Sequence, residues 1–74
     1  MKTTLNKQLI TRNGNEWETS NEKGEPIKIS FKNGLIRIYD FGHIYFSGYP
    51  DCEEITTEEM IEFVHDRAYN IRFE

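Results

Sequence analysis

The chain has a single cysteine, Cys52. No internal disulfide is therefore available, and a reducing, cytoplasmic setting is expected. The opening residues, MKTTLNKQLITR, carry basic side chains but no apolar stretch of the kind a secretory signal needs. No run approaches the ~18 consecutive apolar residues of a membrane helix, so no membrane partner is expected. Metal-ligand pairs at close spacing are also missing. Cys52, His43 and His65 stand alone, where structural zinc takes four ligands in paired sets. No cofactor is implied. Gly14, Gly24, Gly34, Gly42 and Gly48 are isolated turn residues and form no phosphate-cradling loop. No serine stands at a strained elbow beside Asp40 and His43. Cys52 sits among Asp51, Glu53 and Glu54, whose charge opposes a thiolate rather than favouring it. These absences argue against an enzyme.

What is present begins with size. Seventy-four residues, 36% hydrophobic and 30% charged, are read as one domain spanning 1–74. A domain this small buries only about 60% of its unfolded surface, and one core supplies roughly 3–5 kcal/mol of net stability. The net charge of −4 weighs against general nucleic-acid binding, which rests on phosphate neutralisation.

The first half reads as strands. Asn13-Gly14 and Asn33-Gly34 are each the strongest short hairpin signal. A two-residue loop at the first puts Ile10 opposite Trp17, with a helix from Thr4 as the weaker alternative for residues 3–12. A loop at the second pairs Phe31 with Ile36 and Ile29 with Ile38 on one face. Lys28 then meets Tyr39, and Ser30 meets Arg37, on the other. Pro26 opens its strand, where a missing N–H does least harm. For the next turn, a three-residue loop with Gly42 left-handed pairs Ile38 with Ile44 and Ile36 with Phe46. A two-residue loop there would mix the faces. The expected apolar face is Ile27, Ile29, Phe31, Ile36, Ile38, Ile44 and Phe46.

The period changes in ITTEEMIEFVHDRAYNI, which predicts a helix. Thr56 is its N-cap and Glu59 completes a capping box. Met60, Ile61, Val64, Ala68 and Ile71 form the inward stripe, with Phe63 at its edge. The tail NIRFE frames a short strand or frays. The fold class is therefore α+β: a small antiparallel meander of about four to five strands with one C-terminal helix on its apolar face.

Two exteriors follow. The sheet's outer face carries Lys28, Ser30, Lys32, Arg37, Tyr39, His43 and Tyr45, a mixture of cations and rings that suits a phosphate-bearing ligand. Lys28, Lys32, Arg37, Tyr39 and Tyr45 are its candidate anion-binding residues. The other exterior is acidic. Asp51, Glu53 and Glu54 precede the helix, and Glu58, Glu62 and Asp66 recur every four residues as one ridge. Two like-charge pairs cost roughly 0.4–1 kcal/mol. Glu58 and Glu59 offset a similar amount at the positive helix end, so the ridge can also be a plain solvated face. Phe41, at a hairpin tip, and Tyr49, before Pro50, have the character of interface anchors.

The small size, acidity and sheet-plus-acidic-helix profile resemble small phage-encoded proteins that block a host defence or nucleic-acid enzyme, a likeness of style that rests on no motif. The leading expectation is a non-enzymatic protein-binding module, possible inhibitor of a larger protein with a basic surface. It would act through Phe41, Tyr49, Asp51, Glu54, Glu58, Glu62 and Asp66. The alternatives are a nucleic-acid or nucleotide binder using the Lys/Arg/Tyr face, and a structural homodimer.

Overall fold

In the computed structural model the described residues are 2–40 and 42–74. Among these residues, seven strands and one α-helix follow in chain order: β1 (Thr3–Leu5), β2 (Thr11–Asn13), β3 (Glu16–Ser20), β4 (Pro26–Lys32), β5 (Leu35–Tyr39), β6 (Ile44–Gly48), α1 (Thr57–Arg67) and β7 (Ile71–Phe73). Strands β2 to β6 make an antiparallel sheet in sequence order, and β1 pairs in parallel with β7. The α+β meander with one C-terminal helix is the observed architecture.

The central hairpin forms as its sequence dictates. Asn33 and Gly34 both take positive φ (53° and 79°), as a two-residue I′ turn requires. Phe31 then faces Ile36, Ile29 faces Ile38, Lys28 faces Tyr39 and Ser30 faces Arg37. Ile27, Ile29, Phe31, Ile36 and Ile38 are all buried. Met60 and Val64 of α1 and Ile71 of β7 close over them, with Trp17, Leu5, Ile55 and Ala68 completing the core.

Three readings of the chain need correction. The first hairpin pairs Arg12, not Ile10, with Trp17. Its loop is Gly14–Asn15, with positive φ at Gly14 alone, so the same Asn-Gly dipeptide serves a turn shifted by one residue. The shift lets β3 meet β4: Trp17 lies opposite Ile29, and Asn15 O accepts from Phe31 N at 2.8 Å. Ile10 instead closes a 3₁₀ turn, Lys7–Leu9, which with β1 and β2 replaces the single strand or helix expected over residues 3–12.

The second correction concerns β5 and β6. Ile38 pairs with Phe46, Ile36 with Gly48, and Tyr39 with Ile44. Asp40 N donates to His43 O at 3.0 Å, and Gly42 is not left-handed. The tight pairing that would mix the faces does form, and Tyr45 absorbs the error as the extra residue of a β-bulge between Ile44 and Phe46. Ile44 is consequently 57% exposed on the outer face, not in the core. Tyr45 leaves the outer face and packs half-buried against the core, where its hydroxyl donates to Asp40 Oδ2 at 3.0 Å. Burial first, and the Asp40 carboxylate second, push the Tyr45 pKa up.

The third concerns the helix end. Helix α1 stops at Arg67, with Ala68 as an extended C-cap. Ile71 reaches the core from β7, where it pairs with Thr3.

The helix start is as expected. Thr56 Oγ1 accepts from Glu59 N at 3.0 Å, and Glu59 Oε1 accepts from Thr56 N at 2.9 Å. Thr56→Ala should cost about 1 kcal/mol in urea unfolding. The Thr56 backbone bond holds Glu59 below its ordinary pKa of 4.5. A depressed carboxyl stabilises the fold above its unfolded pKa and ceases to do so as pH falls through the folded value. Glu59→Gln should therefore flatten the loss of stability below pH 4.5, as read from urea midpoints at neutral and acid pH.

Candidate functional site

Tyr49 is the hinge of the surface chemistry. It follows β6 directly and remains 66% exposed. A Cβ placed on Gly34 would stand 3.9 Å from Tyr49 Cδ1, so the ring leans on the β4–β5 turn. On one side it lines a shallow groove with Gly34, Asp51, Cys52 and Glu53. On the other it lines a groove with Ser30, Lys32, Asn33, Leu35 and Arg37. The sequence assigned Tyr49 to the acidic surface, and its position joins both.

The acidic stretch is laid out as its spacing implies. Asp51 takes φ of +62°, a conformation aspartate tolerates better than most residues, and bends the chain from β6 toward α1. Asp51, Glu53, Glu54, Glu58, Glu62 and Asp66 are all exposed. Glu58, Glu62 and Asp66 fall within one continuous helix, so neighbours on the ridge lie about 5–6 Å apart at Cβ. Among the described residues the one ion pair within 4 Å is Arg72–Glu74, so the ridge has no close counter-ion there. Arg67 does not supply one. Its guanidinium lies 5.1 Å above the Phe63 ring.

The ridge borders two depressions. Glu62 and Asp66 flank one together with Pro50, Cys52, Ile55, Glu59 and Phe63. Glu58 and Glu62 also line a larger open cleft of about 630 Å³, together with Ile61, Phe73, Lys7 and His65. The sequence did not reveal this cleft. Phe73 reaches it only because β7 docks beside β1, and that pairing spans almost the whole chain.

The sheet's outer face differs from the surface of interleaved cations and rings that was expected. Lys28, Lys32 and Arg37 are exposed there and Tyr39 is half-buried. Tyr45 has left it through the bulge, and His43 sits at the turn, its ring 4.5 Å from that of Tyr45 at a steep angle. Glu18 lies opposite Lys28 and Glu16 opposite Ser30, because β3 joins the sheet beside β4. Carboxylates and cations therefore intermingle on the β3 side of this face, against the expected separation. Toward β5 the mixing ends at Arg37, which lies between Ser30 and Ser47, while Lys32 keeps Glu16 as a diagonal neighbour.

Phe41 lies outside the described residues. The turn beside it is organised by Asp40, whose Oδ1 accepts from Gly42 N at 3.3 Å and His43 N at 3.1 Å. The bond from Gly42, with lesser help from Tyr45 and His43, holds the Asp40 carboxyl below its usual range. Cys52 is free and exposed. Among the described residues no three His, Cys, Asp or Glu side chains converge as a metal site requires, and no helix is long and apolar enough to cross a membrane. No protein-family model matches the chain, and no significant match to it is found among curated proteins or solved structures.

Proposed function

We propose that this chain is a non-enzymatic binding module that docks on a larger protein through its acidic helix face and Tyr49, and inhibits that protein by covering a basic, nucleic-acid-handling surface. The observation that supports this most is the cleft beside the ridge. It is lined by two apolar side chains, Ile61 and Phe73, and two carboxylates, Glu58 and Glu62, with Lys7 and His65 beside them. An arginine or lysine of a partner can lay its stem along the apolar pair and bring its charged end to the carboxylates, in competition with Lys7. Asp66, Glu54 and Asp51 extend the same negative potential along the helix and the segment before it. Acids at helical spacing imitate successive phosphates to a partner built for nucleic acid, and such charge steers association as well as holding it.

The test is charge reversal on the ridge. The variant E58K/E62K/D66K keeps like charges at the same spacing but sets a lysine at the positive helix end, a cost of roughly 0.3–1 kcal/mol, so its far-UV circular dichroism is first matched to the wild-type chain. Used as bait in a cell lysate, the wild-type chain should retain a protein with a basic surface that the variant releases. A purified partner should then bind the variant at least about tenfold more weakly, the loss of one charge-assisted contact or more. Equal binding by both chains rejects the acidic surface. Sedimentation of the wild-type chain at several concentrations separates this reading from self-association.

A further inference from the structure

The corner of the sheet around Lys32 and Arg37 is a second surface, which shares only Tyr49 with the protein-docking reading. Lys32 pairs with Leu35 across the β4–β5 hairpin, and Ser30 pairs with Arg37. Lys32 and Arg37 are therefore diagonal neighbours on one face, about 7–8 Å apart at the backbone and within mutual reach of their long side chains. Neither has a carboxylate within 4 Å among the described residues. With Ser30, Asn33, Leu35 and Tyr49 they line a groove of about 240 Å³, and no acid is among those six. Tyr49 supplies an exposed ring at one wall and Leu35 an apolar flank. Two cations facing each other without an anion repel; a phosphoryl group between them removes that repulsion and accepts hydrogen bonds from both, with the Ser30 hydroxyl and Asn33 amide as further donors.

We propose that this groove binds a nucleoside monophosphate, its phosphoryl group between Lys32 and Arg37 and its base stacked on Tyr49. The surroundings select a single nucleotide over a strand. Asp51 and Glu53 lie beyond Tyr49 in the adjoining groove, and Glu16 stands across from Ser30 on the next strand. A polyphosphate backbone leaving the site meets carboxylates in either direction. The groove is also smaller than the roughly 300–1,000 Å³ of pockets that enclose a ligand, so the nucleotide remains partly exposed and binding is weak.

The experiment is a titration of ¹⁵N-labelled full chain followed by amide chemical shifts. Adenosine monophosphate, adenosine, inorganic phosphate and a short single-stranded oligonucleotide are each added up to about 5 mM, which spans the millimolar range of a shallow site. The monophosphate should shift Ser30, Lys32, Arg37 and Tyr49. Lys32→Glu and Arg37→Glu should each weaken it about tenfold or more, and Tyr49→Leu should weaken the monophosphate but not inorganic phosphate. No shifts, shifts confined to other residues, or equal binding of adenosine would overturn the site. Tighter binding of the oligonucleotide than of the monophosphate would overturn the single-nucleotide assignment in favour of a strand-binding surface. Lys32→Glu and Arg37→Glu leave both the acidic ridge and Tyr49 untouched, so on those two variants the readings fail separately.

Discussion

Trp17→Ala should leave the chain largely unfolded at 25 °C. Trp17 has no exposed surface, lies opposite Ile29 in the sheet, and carries the Arg12 guanidinium 4.7 Å above its ring. Its Nε1 donates to Thr57 Oγ1 at 2.9 Å, which ties β3 to the first turn of α1. One side chain thus fills the core and aligns the helix that lids it. Truncating a buried Trp costs about 3–5 kcal/mol, and a single core of this size supplies about as much in total. Trp17→Phe separates the two contributions. The smaller ring keeps much of the apolar burial and loses the hydrogen bond. Thr57 is half-buried and can turn its hydroxyl to water, so a loss of about 1–3 kcal/mol is expected. Far-UV circular dichroism and urea unfolding read both variants. A Trp17→Ala chain with a wild-type midpoint would refute the account of Trp17 as the joint between sheet and helix.

The residues that could be placed from sequence are those where two independent local signals agree. Between Pro26 and Tyr39, alternation and the Asn33-Gly34 turn demand one register, and the structure has it. In the first hairpin the turn dipeptide stands alone. Asn-Gly-Asn offers two overlapping loops, and the choice is made by the far side of β3, which must meet β4. At residues 40–48 the alternation argument was sound, but a bulge cancels the premise that every residue occupies a pleat. Tyr45 is the inserted residue, and nothing in its identity announces that. The same step exchanges Ile44 for Tyr45 at the core.

The candidate surfaces divide in the same manner. Glu58, Glu62 and Asp66 were legible as a ridge because helical period is a local property. Their cleft was not, because Phe73 arrives through a three-residue parallel strand too short to show a pattern. Lys32 and Arg37 were legible as neighbours through the hairpin register. That Tyr49 stands beside them depends on the β5–β6 register, in which Gly48 meets Ile36 and Tyr49 continues alongside Leu35, and that register turned on the bulge. Glu16 and Glu18 were visible as residues. Their place next to Ser30 and Lys28 followed only from the register that the first turn left open, so the mixing of charge on the outer face stayed hidden with it.

Gly48→Val is the case where sequence and structure predict opposite signs. In β6, an edge strand, valine is a good strand former and glycine a poor one, so propensity alone expects a gain of roughly 0.5–1 kcal/mol. Gly48 does not take a positive φ, so the backbone raises no objection. The objection is space. A Cβ there would stand 3.1 Å from Phe46 Cζ and 3.2 Å from Phe63 Cζ. Those two rings form an edge-to-face pair with centroids 6.0 Å apart, and Arg67 covers Phe63 from outside. Moving either ring disturbs the contact between β6 and α1. Overpacking of this kind costs about 1–3 kcal/mol, which outweighs the propensity gain. Urea unfolding should therefore show Gly48→Val clearly destabilised and Gly48→Ala less so. Adding Phe63→Leu, which frees space at the same point, should cost less in the Gly48→Val background than in the wild type, giving a favourable coupling in the double-mutant cycle. A Gly48→Val chain at least as stable as the wild type would mean that Phe46 and Phe63 do not close on Gly48, and that glycine is there for some reason other than room.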